Sequence, residues 1–358
     1  MPLSVESVLD VLKPVEDPEL RKSLVALNMI RNVAIEAGNV SFTLVLTTPA
    51  CPLKELIVDD CKRAVKTLDG VTDVQVEVTA ETPTQAAIPD RQGIDGVKNI
   101  LAISSGKGGV GKSSVAVNVA VALAQTGAKV GLLDADIYGP NGPNMLGLSD
   151  AKVMVQAGAD GKEVLEPAFN HGVKLVSMAF LIDRDQPVIW RGPMLNGVIR
   201  QFLYQVSWGD LDYLIVDMPP GTGDAQLTLA QAVPMAGVAI VTTPQEVALL
   251  DSRKGLKMFE QLGVPVLGII ENMSYFIPPD LPDRKYDIFG SGGGERTAKE
   301  LGVDLLGCVP LEIPLREGGD NGVPIMVSQP DSASAQALKK IAGQIAAKVS
   351  VAALRDRI

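Results

Sequence analysis

Residues 106–114 read Gly-Lys-Gly-Gly-Val-Gly-Lys-Ser-Ser, and no other segment constrains the fold as strongly. The nonamer matches G-x-x-x-x-G-K-[ST]. It follows the apolar run NILAIS (99–104) and leads into the apolar stretch VAVNVAVALAQ. Strand, glycine loop and helix in that order make a phosphate cradle, because backbone N–H groups curl around phosphate oxygens where side chains would obstruct them. The helix N-terminus adds its positive end. Gly106, Gly108, Gly109, Val110, Gly111 and Ser114 then belong to the cradle, Lys112 neutralises the β/γ-phosphate charge, and the Ser113 hydroxyl reaches Mg²⁺.

From residue 97 onward short Val- and Ile-rich runs alternate with helical stretches, the pattern of a parallel sheet wrapped by helices. Strands are expected at 99–104, 129–134, 173–178, 212–218, 238–243, 266–271 and 305–310. Helices are expected at 112–126, 193–206, 223–232, 246–262, 293–301 and 332–353. The first 80 residues form a small α/β unit of their own. Val40, Phe42, Leu44 and Leu46 alternate as a strand, Leu53 to Leu68 repeat at helical spacing up to Asp69-Gly70, and Val74, Val76 and Val78 share a strand face. Between 81 and 96 the text turns Pro-, Gly- and polar-rich without periodicity, which reads as a linker. The expected organisation is therefore a 1–80 α/β domain, an 81–96 linker and a 97–358 phosphate-loop domain.

The 358 residues carry 32 Lys and Arg against 42 Asp and Glu, a net charge of −10 that argues against general nucleic-acid binding. Residues 1–10 are mixed and acidic, unlike a secretory segment, and no run of 18 apolar residues occurs, so no membrane partner is expected. The cysteines, Cys51, Cys61 and Cys308, are too few for a disulfide framework and suit a reducing, cytoplasmic setting.

Three carboxylates stand where the sheet would present ligands. Asp134 and Asp136 end the strand KVGLLDAD. Asp217 ends DYLIVD and runs into Met218-Pro219-Pro220-Gly221-Thr222-Gly223-Asp224, a loop suited to sensing a γ-phosphate. Lys107, a second lysine inside the loop, is not needed by the basic cradle. It makes the segment resemble the deviant Walker A ATPases, KGGxGK[ST], and that resemblance implies that Lys107 reaches across a face-to-face homodimer to the partner's nucleotide. It further implies that Asp136 heads the first switch loop and orients the attacking water, that Asp217, with Asp134 and Ser113, holds Mg²⁺, and that Asn272 pairs with the adenine edge. A simple turn role for Asn272 is equally open. The loop beginning VPLEIP, after Cys308, would close over the base.

DADIYGPN, VDMPPGTGD, GIIENMSYF and the run from Gly290 to Pro324 resemble the Mrp/ApbC family of ATP-dependent iron–sulfur cluster carriers. Asp17-Pro18-Glu19 and Thr47-Thr48-Pro49-Ala50-Cys51-Pro52 resemble the small domain of iron–sulfur assembly factors. The resemblance implies ATP hydrolysis coupled to delivery of a [4Fe–4S] cluster to apoproteins or assembly factors. Members of the family carry a Cys-x-x-Cys after the ENMSYF segment, whereas here Phe276 to Arg284 contains no cysteine. Cys51, in a proline-flanked loop before a helix that would favour its thiolate, is the remaining candidate ligand beside the reading as an inert loop cysteine. Cys61 and Cys308 fall on apolar faces and read as core. The single histidine, His171, sits in a turn and carries no role. Two rivals stay open: a positioning ATPase acting on membrane or DNA, and a nucleotide-gated scaffold that binds no cluster.

Overall fold

The computed structural model describes residues 3–355 apart from 86, 89, 138, 152–153, 158–162, 182–191 and 282. The chain divides into two compact units, 1–83 together with 346–358, and 84–345.

In the first unit, α1 (Val5–Leu12) opens behind a capping box in which Ser4 Oγ accepts from the Ser7 N–H and Ser7 Oγ accepts from the Ser4 N–H. β1 (Ile30–Glu36) and β2 (Asn39–Leu46) form an antiparallel pair, and β3 (Asp73–Ala80) lies parallel to β2 after the crossover helix α2 (Lys54–Val65). Val8, Leu12, Val40, Leu44, Ile57, Cys61 and Val65 close its core. The sequence reading lacks β1, because a bulge between Arg31 and Ala34, with Asn32 at φ 53°, breaks the two-residue alternation.

The second unit is an eight-stranded sheet in which every pairing but the first is parallel. Its elements are β4 (Val97–Ser105), α3 (Lys112–Gln125), β5 (Val130–Asp134), α4 (Gly142–Met145), β6 (Ala168–Asn170), β7 (Val173–Ser177), α5 (Gly192–Tyr204), β8 (Leu211–Asp217), α6 (Asp224–Ala232), β9 (Gly237–Thr242), α7 (Glu246–Gln261), β10 (Val266–Phe276), α8 (Gly293–Leu301), β11 (Leu305–Leu311), α9 (Ile313–Asn321), α10 (Ile325–Ser328) and α11 (Ala333–Arg355). The strand order is β6-β7-β5-β8-β4-β9-β10-β11. β4 and β8 occupy the centre, so their residues are apolar without alternation, as burial on both faces requires. α3 is buried along Val115–Leu123, which explains why it is hydrophobic on every side. Asp217 pairs in register with Asp134 on β5 and with Ile103 on β4, so two carboxylates end adjacent central strands on one sheet edge.

Two boundaries differ from expectation. Residues read as linker are bonded into the second unit from Thr84 onward: the Gln85 N–H donates to Lys98 O (3.1 Å), the Gln92 N–H to Ala232 O (3.2 Å), and the Arg91 guanidinium to Leu262 O. At the other end, α11 is shared. Leu338, Ile341 and Ile345 are buried in the second unit, whereas residues from 346 on belong to the first. There Val349 and Ser350 are 1% exposed, and Ser350 Oγ donates to Thr47 O at 3.1 Å. The expected 97–358 domain is corrected to end before Ala346. No helix among the described residues is long and apolar enough to cross a membrane.

Deleting 346–358 should therefore weaken the first unit by about 2–4 kcal/mol, the cost of losing the buried Val349 side chain and the part-buried Ser350–Thr47 hydrogen bond. Hydrogen exchange resolved by mass spectrometry should show faster exchange in β2 and α2, with β4 and β8 unchanged.

Candidate functional site: a phosphate loop over a buried lysine

Three glycines of the loop answer a geometric demand. Gly109 and Gly111 have φ of +82° and +81°, and a Cβ on Gly111 would collide with the Asn272 amide. A Cβ on Gly106 would collide with the α7 backbone at Asp251. Ser105 Oγ donates to Lys107 O at 2.9 Å, which closes the turn, and Gly111 caps α3 so that its first N–H groups face the loop.

Lys112 is 5% exposed. Its Nζ lies 2.6 Å from Asp217 Oδ1, 3.4 Å from Asp136 Oδ2 and 3.3 Å from Ser113 Oγ. Burial works against the ammonium, and the carboxylates of Asp217, Asp136 and Asp134 more than reverse it, so its pKa stands above the ordinary lysine value. Burial in turn raises the Asp217 carboxyl, against the pull of Lys112 and the Ser113 hydroxyl. Burial and then the Asp217 charge push Asp134 up, to about 7.

The pocket above these groups has a volume of about 190 Å³ and is lined by loop residues between Lys107 and Ser114, Val110 excepted, together with Asp136, Asn141, Met145 and Pro220. Lys107 is half-buried at this pocket and makes no ion pair among the described residues. Asp134, expected to hold Mg²⁺, lies behind the pocket with its carboxylate already occupied. Oδ2 accepts from the Gly142 N–H and the Ser177 hydroxyl, both at 2.9 Å, and Oδ1 accepts from the Asp136 N–H at 3.3 Å. Its place is to brace the loop from Asp136 to Gly142. Asn272 is likewise behind the loop, donating from Nδ2 to Val110 O at 2.8 Å, while its Oδ1 is buried without a partner. It lies within β10, which runs on to Phe276, rather than in a turn.

Sequence reasoning missed Ser177 and Gln226. Gln226, 1% exposed on α6, donates to Ser104 Oγ (3.1 Å) and to Pro219 O, linking the end of β4 to the loop that follows β8. The Gly221 N–H donates to Ser105 O at 3.0 Å beside it. A polar residue on a helix face otherwise packed against the sheet was the available signal.

Among the described residues no three His, Cys, Asp or Glu side chains converge as a metal cage. That donor set fits magnesium, which keeps waters and borrows phosphate oxygens and so needs only the Ser113 hydroxyl and one carboxylate.

The cysteines depart from expectation. Cys51 is half-buried, and burial pushes its thiol up to about 11, with the Leu53 N–H opposing and Glu19 and Asp17 adding to the rise. The α2 N-terminus does not make it a thiolate at neutral pH. Cys61 is fully buried, as its helix face requires. Cys308, expected in the core, is half-buried on the edge strand β11 beside Ser274, its thiol raised by burial.

A family model described as NUBPL iron-transfer P-loop NTPase matches residues 96–346. The chain belongs to that family. A second model, described as an iron–sulfur cluster assembly protein, matches residues 6–78. Curated relatives described as iron–sulfur cluster carrier proteins include one from Synechocystis sp., 77% identical over 98% of this chain and 99% of its own length. Another, from Deinococcus radiodurans, is 47% identical over 98% and 97%. Among solved structures, a nucleotide-binding protein of Archaeoglobus fulgidus in complex with ADP is 38% identical, covers 67% of this chain and 91% of its own, and superposes with a TM-score of 0.57. The cell-division ATPase MinD of Pyrococcus furiosus, 24% identical over 69% of this chain and 98% of its own at a TM-score of 0.50, shares the fold.

Removing the central ammonium leaves two buried carboxylates uncompensated, so Lys112→Ala should cost about 3 kcal/mol of stability in urea unfolding besides abolishing phosphate neutralisation. For Cys51, iodoacetamide labelling followed by peptide mass spectrometry should be slow at pH 7.5 and rise with a midpoint near about 11.

Proposed function

We propose that this NTPase is an ATP-hydrolysing homodimer that loads and delivers iron–sulfur clusters to apoproteins. The observation that carries the nucleotide half is Lys112, whose ammonium lies on Asp217 and Asp136 beneath a pocket lined by loop glycines. When nucleotide binds, Lys112 turns from Asp217 to the β/γ-phosphate oxygens, and the freed Asp217 with Ser113 would hold Mg²⁺, which would supply positive charge to the transferring phosphoryl group. Asp136, on the same pocket wall, orients the attacking water, and Lys107 supplies transition-state charge to the nucleotide of the facing subunit. Asn272 keeps the loop in shape through Val110 and retains its unbonded Oδ1 for the exocyclic amine of adenine.

The cluster is cargo in this scheme, and the carrier description of relatives spanning nearly the whole chain supports it. Cys51 is the thiol proposed to hold it; paired between two chains it supplies two of a cluster's four ligands, and one chain has too few cysteines to supply all four. A protonated thiol must lose its proton to solvent before its thiolate can bind iron, so loading becomes more favourable as pH rises toward about 11. Against a membrane-positioning role stands α11, whose Leu338, Ile341, Ile345 and Val349 are buried rather than left as a free apolar face.

Lys107→Ala should reduce ATP turnover by about 10³-fold while leaving the buried Lys112 cluster intact, as measured by phosphate release. Anaerobic reconstitution with iron and sulfide should give absorbance near ~400 nm in the wild type and none in Cys51→Ser. Absorbance surviving in Cys51→Ser would remove Cys51 as ligand, and none in the wild type would favour the nucleotide-gated scaffold.

A further inference from the structure

The segments DIYGPNGPNMLG (136–147) and REGGDNGVP (316–324) lie far apart in the chain and take no part in the phosphate cradle, yet the fold joins them. Asn144 Nδ2 donates to Gly319 O at 3.0 Å, and Met145 lies beside Gly319, its Cγ 3.8 Å from where a Cβ would stand. Gly147 and Gly322, at φ +66° and +72°, touch backbone to backbone. A Cβ on Gly322 would lie 2.5 Å from Gly147 Cα, and one on Gly147 would lie 2.8 Å from Gly322 O. The turn between β6 and β7 closes the third side. Asn170 Nδ2 donates to Leu146 O at 2.8 Å, and His171, held at φ 50°, places Nε2 3.1 Å from Gly322 O. A carbonyl only accepts, so His171 carries its proton on Nε2.

This clasp lies at the far end of the segment that Asp134 braces through its bonds from the Asp136 N–H (3.3 Å) and the Gly142 N–H (2.9 Å). Along that segment stand Asp136, Asn141 and Met145, all on the wall of the phosphate pocket. An exposed loop tied at one end would sample many geometries, whereas one tied at both ends presents its side chains at a fixed distance from the phosphate.

We propose that the clasp of Asn144 and Gly147 with Gly319, Gly322 and Asn170 is a positioning device for the hydrolytic step. It holds the first switch loop against α9 so that Asp136 meets the attacking water, and its residues touch neither nucleotide nor water. The proposal rests on the ATPase reading above and deepens it by adding α9 to the catalytic apparatus. Two glycines are required at the contact because their backbones meet where any Cβ would separate them, and both sit in the left-handed region.

The test compares the full-length wild type with Asn144→Ala, Asn170→Ala and Gln125→Ala. Gln125 holds Met326 of α10 at 2.9 Å, outside the clasp. Steady-state phosphate release, fluorescent mant-ADP affinity and melting temperature are read for each. Asn144→Ala and Asn170→Ala should each lower kcat about tenfold while KM for ATP, mant-ADP affinity and melting temperature stay within about twofold or ~3 °C of wild type. Gln125→Ala should keep wild-type kcat. Unchanged kcat in both clasp variants overturns the proposal. So does a loss of kcat matched by loss of mant-ADP affinity or of melting temperature, or an equal fall in Gln125→Ala. The two clasp variants remove different bonds, so one that fails to fold leaves the other to decide. Absence of turnover in the wild type overturns the ATPase reading instead, and is distinguishable because mant-ADP binding is measured separately.

Discussion

One ammonium among three carboxylates organises the second unit. Lys112 reaches Asp217 and Asp136, while Asp134 stands in register with Asp217 on the neighbouring strand. In a medium of low polarity that arrangement is short of positive charge, and the deficit shows in the raised carboxyl of Asp134. The site is therefore prepared for a ligand that arrives with its own cation. Phosphates alone would worsen the balance, and a cation alone would find too few donors, so the two suit the pocket only together.

The same constraint explains why the loops around the pocket are so heavily tethered. Asp134 spends its oxygens on Gly142, Ser177 and Asp136, Gln226 ties Ser104 to Pro219, and Asn272 supports Val110 from behind. None of these touches the space a phosphate would fill. They settle where the groups that do touch it can stand, and a misplacement of about 1 Å is enough to cost reaction rate.

The parallel sheet and its phosphate loop could be read from the chain because their signals are local: apolar runs of strand length, and glycines adjoining a lysine. The supporting residues could not. Gln226 meets Ser104 and His171 meets Gly322 across separations that no periodicity reports. Asn32 hid a strand by bulging it, although the serine pair at Ser4 and Ser7 advertised a helix start that went unread. Cys308 looked like core because its neighbours are apolar, but β11 lies at the sheet edge, and edge position follows from strand order rather than from composition. Cys51 misled in the other direction: proximity to a helix start suggested a thiolate, and burial beside two acidic residues outweighed it.

Ser350 and Thr47 are 303 positions apart, yet they bond within the same small unit. During synthesis the first unit emerges from the ribosome early, and the Thr47 carbonyl waits for α11, about 15–60 s later at ordinary elongation rates. Throughout that interval the loop from Thr47 to Cys51 lacks this tether, while the NTPase unit is translated.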